Sequence, residues 1–141
     1  MTRDEQARYP HVFPQPALVS CGRGWYELIE WVCKQLEAII QRLPPSDREH
    51  YRMMEIQEKY GTLDLRFRYP RHENHPGYNP EAKETIRHLL KAAERRSLYI
   101  CEVCGKPGEL RLYSWCKTHC DECFTPEDLC PEAWDGVIRI F

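Results

Sequence analysis

Two Cys-x-x-Cys pairs toward the C-terminal end of the chain constrain its fold more than any other feature. Cys101 and Cys104 form the first pair, Cys120 and Cys123 form the second, and fifteen residues separate the pairs. Each pair can turn two thiolates toward one tetrahedral ion, and this spacing is typical of structural zinc sites. Gly105 follows the first pair, where a sharp turn favours a residue that adopts positive φ at little cost. The sequence therefore predicts one structural Zn²⁺ ion held by these four cysteines.

Cys116 and His119 leave the ligand assignment open, because thiolate and imidazole both bind zinc and either residue can replace Cys120. We favour Cys120, since two residues separate it from Cys123 and such a pair closes a tighter turn than Cys116 with Cys120 does. The cysteines outside the predicted site are Cys21, Cys33, Cys116 and Cys130. They form no close pair, and a second zinc site usually requires one.

Composition and charge set the class of protein. The 141 residues are 42% hydrophobic and 30% charged, which is typical of one globular domain. The first eight residues are rich in charge, no apolar run of signal-peptide length follows, and no stretch approaches the roughly 20 apolar residues of a membrane span. We therefore expect a cytoplasmic protein with reduced thiols and no membrane contact. The net charge of −2 gives no bulk attraction to nucleic acid.

The N-terminal part of the chain predicts an arm followed by a long helix. Pro10, Pro14 and Pro16 favour an extended arm over residues 1–20, with residues 21–141 as a single domain. Four apolar residues are expected to pack this arm onto the domain: Val12, Phe13, Leu18 and Val19. Apolar residues then recur at steps of three and four over residues 24–43, which predicts an amphipathic helix that ends before two prolines. Cys33 lies near the apolar side of this helix and is expected to be a buried free thiol.

A hairpin and a second helix are predicted next. Apolar and polar residues alternate over residues 54–57 and 62–69, with Tyr60 and Gly61 as the turn between two half-buried strands. The expected cross-strand pairs are Ile56 with Leu65, Met54 with Phe67 and Glu55 with Arg66. Asn79 and Pro80 predict the start of a helix that ends near Leu98 and leads into the zinc-binding segment, residues 99–124.

The predicted fold class is therefore α+β: an amphipathic helix, a β-hairpin, a second helix, and a four-cysteine segment of the zinc-ribbon or knuckle type. Thr125 and Pro126 predict a short helix after that segment. Residues 137–141 alternate in a way that favours a final strand, which can pair beside the strand of residues 63–69.

Several stretches together resemble a family of small proteins of bacteriophages and prophages. They are residues 24–29 (GWYELI) with Cys33, residues 58–63 (EKYGTL), residues 93–97 (AERRS) and residues 101–108 (CEVCGKPG). The resemblance covers residues 21–123. It implies a phage or prophage origin and a metal site whose last ligand varies between cysteine and histidine, a position that Cys123 occupies here. It implies no particular activity.

These features leave three classes of function: an enzyme, a protein that binds another protein, and a nucleic-acid-binding module. An enzyme is disfavoured, because the sequence has no phosphate-binding glycine loop or triad-like motif and an all-cysteine zinc site leaves no open position for water. A metal-dependent nuclease that uses His72, His75 or His119 is the most plausible enzyme. We expect a non-enzymatic zinc-stabilised protein that binds and modulates a host protein.

The alternative is a nucleic-acid-binding zinc module. Its basic face would consist of six residues on the second helix and the second strand. They are Arg87, Lys91, Arg95, Arg96, Arg66 and Arg68. A solvated face with local ion pairs, such as Glu55 with Arg66, explains the same residues without any ligand.

Overall fold

A computed structural model of the protein describes residues 1–112 and 115–124. The short helix predicted after Thr125, the strand predicted over residues 137–141, and Cys130 lie outside the described residues. The helices of the described part are α1 (Arg3–Gln6), α2 (Tyr26–Gln41) and α3 (Pro80–Ser97). The strands are β1 (Leu18–Ser20), β2 (Arg52–Lys59), β3 (Thr62–Arg68), β4 (Glu109–Leu112) and β5 (Cys116–His119). This arrangement of helices and two small sheets confirms the predicted α+β class.

Helix α2 forms the centre of the core. A 3₁₀ turn at Arg23–Trp25 leads into it, and Trp25 is fully buried. The periodic residues predicted to face inward do so, and Cys33 is a buried thiol as expected. The buried residues of this helix are Leu28, Ile29, Val32, Cys33, Leu36, Glu37 and Ile40. Burial of this face is what holds the helix, because apolar area removed from water contributes about 25 cal/mol per Å².

The first sheet has the strand order β1-β2-β3. Strand β1 is parallel to β2, and β2 pairs antiparallel with β3 through the predicted two-residue turn. Tyr60 and Gly61 have φ of 53° and 82°, which fits a turn with positive φ at both central positions. Ile56 pairs with Leu65 and Glu55 with Arg66, as predicted.

The predicted pair of Met54 with Phe67 is wrong. The register shifts between Met53 and Glu55, so that Met53 lies opposite Phe67. Met53 is buried, whereas Met54 is 44% exposed. A bulge inserts one extra residue into a strand and reverses the side-chain alternation beyond it, which a strict two-residue period cannot reveal.

Helix α3 packs against α2 and β3. Asn79 caps it, because the Asn79 side chain accepts a hydrogen bond from the Ala82 N–H at 3.0 Å. Its inner residues Ile86, Leu89 and Ala93 are buried. Near its end, the Ser97 hydroxyl accepts a hydrogen bond from the Leu63 N–H at 2.9 Å, which joins the helix to the start of β3.

The N-terminal arm contains more regular structure than its prolines suggest. Helix α1 begins with a capping box between Thr2 and Glu5 and was not predicted. Val12 and Phe13 are buried, as expected for residues that pack the arm onto the domain. Leu18 is 68% exposed, although we expected it to pack as well. It lies in β1, at the edge of the sheet.

The second sheet contains β4 and β5, which pair antiparallel between the two cysteine pairs. This hairpin contacts the turn of the first hairpin. The Thr118 hydroxyl donates to the Gly61 carbonyl at 2.6 Å, and the Lys117 ammonium lies 3.0 Å from a Glu58 carboxylate oxygen. Within the described residues, none of the helices is both long and apolar enough to cross a membrane.

Candidate metal centre

The two cysteine pairs each lie on a tight turn of the backbone. In the first turn, the Gly105 N–H donates to the Cys101 carbonyl at 2.9 Å, and Gly105 has φ of +81° as the chain leaves the turn. In the second turn, the Phe124 N–H donates to the Cys120 carbonyl at 3.1 Å. The positive φ explains why glycine follows the first pair.

The four sulfur atoms of these turns converge. The Sγ atoms of Cys101, Cys104, Cys120 and Cys123 all lie within 4.8 Å of one another. The Cys104 and Cys120 sulfurs are 3.6 Å apart. Four thiolates around a tetrahedral zinc ion, with Zn–S bonds of about 2.3 Å, have sulfurs about 3.8 Å apart. The donor set and its spacing therefore fit one metal ion of this kind.

The electrostatics of the cluster also favour a cation. Burial raises the pKa of the Cys101 thiol, but hydrogen bonds from the backbone of Cys104, Cys120 and Val103 oppose burial and bring the pKa down to about 7. The hydrogen bond with Cys120 raises the pKa of Cys123 to about 12. The Cys101 thiolate thus forms readily, while the Cys123 thiol resists ionisation. A divalent cation between the sulfurs removes that resistance, because it stabilises all four negative charges.

The turns that contain the two cysteine pairs are attached to the start of α2. The Glu102 carbonyl accepts a hydrogen bond from the Gly24 N–H at 2.7 Å, and its carboxylate accepts one from the Gly22 N–H at 2.9 Å. The Trp25 indole N–H donates to the Ile100 carbonyl at 2.8 Å. Sequence reasoning missed Glu102, because its partners lie about eighty residues earlier and leave no periodic signal near it.

Gly24 allows the two segments to approach this closely. A Cβ atom at Gly24 would lie 1.9 Å from the Cys101 carbonyl oxygen, well inside any van der Waals contact. At Gly22 the same atom would lie 2.3 Å from the Glu102 carbonyl oxygen. The glycines at the start of the predicted helix are therefore explained by the docking of the cysteine segment.

Cys116 and His119, the alternative ligands, lie on β5 beside the cluster. Cys116 is opposite Leu112 in β4, and the largely buried His119 is opposite Glu109. Neither joins the group of converging donors, which within the described residues consists of the four cysteines of the two turns. The structure thus places Cys120 with the other three cysteines.

Cys21 and Cys33, the other described cysteines, lie outside the cluster of four thiols. Burial raises the pKa of Cys33, and it raises that of Cys21 to about 11, so both thiols stay protonated near neutral pH.

His72 and His75 lie in the connection between β3 and α3. The His75 ring packs edge-on against His50, with 4.6 Å between the ring centroids, and its Nδ1 atom accepts from the Gly77 N–H. In the part of the chain that the structure describes, these histidines do not form a cluster of metal-binding groups.

The predicted basic face is exposed but only partly free. Arg87 pairs with Glu84 at 3.0 Å, and the Arg96 guanidinium lies 4.1 Å from the centroid of a Trp31 ring. Arg66 on β3 pairs with Glu55 at 3.2 Å. Among the described residues, four of the six cations have no ion-pair partner: Arg68, Lys91, Arg95 and Arg96. That these six residues bind a ligand stays a prediction.

Comparison with protein-family models, with curated proteins and with solved structures gave no match for this chain. The resemblance to phage and prophage proteins therefore stays a prediction, and the four converging thiols are the main evidence on function.

Proposed function

We propose that Cys101, Cys104, Cys120 and Cys123 hold one Zn²⁺ ion whose role is structural. The observation that carries this proposal is the convergence of four thiol groups within 4.8 Å on two tight turns. Zinc prefers tetrahedral thiolate sites, and a site closed by four cysteines leaves no coordination position for a substrate or a reactive water. The ion would hold together the two turns that dock onto the start of α2.

The metal proposal is tested by the zinc content of purified variants. Protein from zinc-replete medium should contain one zinc ion per chain, and Cys104→Ser should lose it or bind it much more weakly. Cys116→Ser is the matched control, because Cys116 lies in the same segment but outside the cluster. Full zinc content in Cys104→Ser, or its loss in Cys116→Ser, would contradict the assignment.

We further propose that the chain is a phage or prophage protein that binds and modulates a host protein. Its resemblance to such proteins supports the origin, and the closed donor set supports a non-enzymatic role. Tyr60, Tyr99 and Trp115 support binding, since they are 75%, 72% and 56% exposed. Aromatic side chains are enriched at protein interfaces, where one large ring buries much apolar area.

Affinity capture from a bacterial lysate tests this second proposal. The immobilised zinc-loaded protein should retain a discrete host protein through a high-salt wash, and the purified partner should bind with a fixed stoichiometry. Trp115→Ser and Tyr99→Ser should weaken that binding, whereas the exposed charge change Lys34→Glu on α2 should not. Absence of any stoichiometric protein partner would contradict the proposal.

A further inference from the structure

Within the described residues, the outer edge of β3 is open to strand pairing. Thr62 and Lys59 flank the two-residue turn and form a hydrogen-bonded pair, so in an antiparallel ladder the alternate residues Leu63, Leu65 and Phe67 direct their backbone groups away from β2. The Leu63 N–H confirms this direction, because it donates to Ser97 on α3. In the described residues no strand pairs with this edge. Leu65 and Phe67 therefore present donors and acceptors at the spacing of a strand.

A groove lies along β3, and residues of β2 and α3 line it as well. It consists of a cavity of about 480 Å³ and a neighbouring one of about 170 Å³, which share Asp64, Leu65 and Leu90. Both leucines are half-buried, so the floor of the groove is apolar. The groove can therefore receive the side chains of an added strand as well as its backbone.

The walls of the groove are basic. Five cations and three acids line the two cavities. The cations are Arg66, Arg68, Arg71, Arg87 and Lys91, and the acids are Glu55, Asp64 and Glu94. This local excess of positive charge contrasts with the net charge of −2 for the whole chain. The groove thus attracts acidic groups on a protein that is otherwise slightly negative.

We propose that this groove binds an extended acidic peptide segment, which pairs with β3 as an added strand. The proposal rests on the proposed function only in that a partner protein supplies the segment. Arg66 and Arg68 alternate with Leu65 and Phe67 along β3, so the two sets face opposite sides of the sheet. A segment that alternates acidic and apolar residues places its acids beside the arginines and its apolar side chains near Leu65 and Leu90.

The features of the groove favour a peptide over a nucleic acid. Backbone donors and acceptors that alternate along a strand edge complement another backbone, whereas phosphates only accept. The three acids that line the groove would repel a continuous phosphate chain. The Arg71 guanidinium covers one face of Tyr69, an aromatic residue of the lining, at 4.8 Å from the ring centroid, so a base would have to displace it to stack there.

Fluorescence anisotropy with the full zinc-loaded chain tests the inference. The probe is a labelled peptide of seven residues, the length of β3, that alternates Glu and Val. It should bind, while a Lys–Val peptide should not. A Glu–Val peptide with a central proline should bind at least about tenfold more weakly, since proline donates no hydrogen bond. On binding, hydrogen exchange of the Leu65 and Phe67 amides should slow.

Two double variants with the same charge change locate the binding site. Arg68→Glu with Lys91→Glu should weaken binding of the Glu–Val peptide by about tenfold or more, because both cations line the groove. Lys34→Glu with Arg42→Glu should leave the affinity within about twofold, because both residues are exposed and neither lines either cavity. Zinc content and circular dichroism establish that each variant is folded.

Three results would overturn the inference. The first is absence of peptide binding at low salt, which is expected if residues 137–141 of the same chain occupy this edge. The second is an equal loss of affinity in the two double variants. The third is that a single-stranded DNA oligonucleotide binds instead of the peptide, in a way that depends on Arg68 and Lys91. Capture of a host protein from lysate without any peptide binding would contradict this inference and leave the proposed function standing. Peptide binding without a captured host protein would contradict the proposed function alone.

Discussion

The N-terminal arm (residues 1–20) and the cysteine segment (residues 101–124) are both fastened to α2, but by different interactions. Four apolar side chains of the arm enter the core: Met1, Tyr9, Val12 and Phe13. The buried residues in the described part of the cysteine segment are instead polar or sulfur-containing: Cys101, Glu102, Thr118, His119 and Cys120. The arm thus gains stability from apolar burial, at about 2 kcal/mol for a large side chain. The described residues of the cysteine segment bury no large apolar side chain, and they depend on hydrogen bonds and the thiol cluster.

The arm also uses a buried carboxylate. Glu37 on α2 accepts hydrogen bonds from the backbone N–H groups of His11 and Val12, at 2.9 and 3.1 Å, and contacts the His11 ring. Glu102 has the converse role, because it lies in the attached segment and accepts from the start of α2. Each attachment therefore pairs one glutamate with backbone donors that have no strand partner. The two attachments differ in what accompanies that glutamate, which is buried apolar surface in one case and a cluster of four thiols in the other.

The largest expected effect is removal of the metal. Chelation, or Cys104→Ser, should loosen residues 101–124 and lower the Tm by about 10 °C or more, since structural zinc sites contribute directly to folding. Hydrogen exchange should rise in the cysteine segment and stay slow at Val12 and Phe13. Similar exchange in both regions would show that the arm and the segment unfold as one unit.

Glu37→Ala should detach the arm. The substitution leaves the His11 and Val12 N–H groups without their acceptor, and we expect a loss of about 3 kcal/mol in the free energy of unfolding by urea. Glu37→Gln should recover part of this loss because its carbonyl oxygen still accepts, and the exposed Glu27→Ala on the same helix is the control. Zinc content should stay at the wild-type value in all three. Loss of zinc in Glu37→Ala would break the comparison.

Gly24→Ala should disturb the attachment of the cysteine segment without removing a ligand. The new methyl group collides with the Cys101 carbonyl, and such overpacking costs about 2 kcal/mol. The variant should still bind zinc while its segment exchanges faster, and Arg23→Ala is the neighbouring exposed control. A wild-type exchange rate in Gly24→Ala would mean that the close approach is not needed for docking.

Lys106→Ala should have the smallest effect. Lys106 pairs with Glu122 across the two turns at 3.3 Å, but both side chains are mostly exposed. Solvent screens such a pair, so the urea midpoint and the zinc content should not change measurably. A clear loss in either measurement would show that surface charge, as well as the thiols, holds the turns together.

Short-range patterns in the sequence predicted α2, α3 and the β2–β3 hairpin. The apolar period of α2, the Asn79–Pro80 start of α3 and the Tyr60–Gly61 turn each depend on residues a few positions apart, and the structure contains all three. The two Cys-x-x-Cys pairs likewise indicated the converging thiols. The bulge at Met54 was not predicted, because a single inserted residue cannot be distinguished from continued alternation until the partner strand is in place.

The sequence by itself determined α2, α3, the β2–β3 hairpin and the donor set of the candidate metal centre, because each depends on local geometry that recurs with a fixed period or spacing. Only the tertiary structure decided that Glu37 anchors the arm, that Gly24 and Glu102 join the cysteine segment to α2, and that the edge of β3 opens into a basic groove. These contacts join residues that are far apart in the chain. Their partners are chosen by packing and by the need of buried backbone groups for hydrogen bonds, and neither leaves a local pattern.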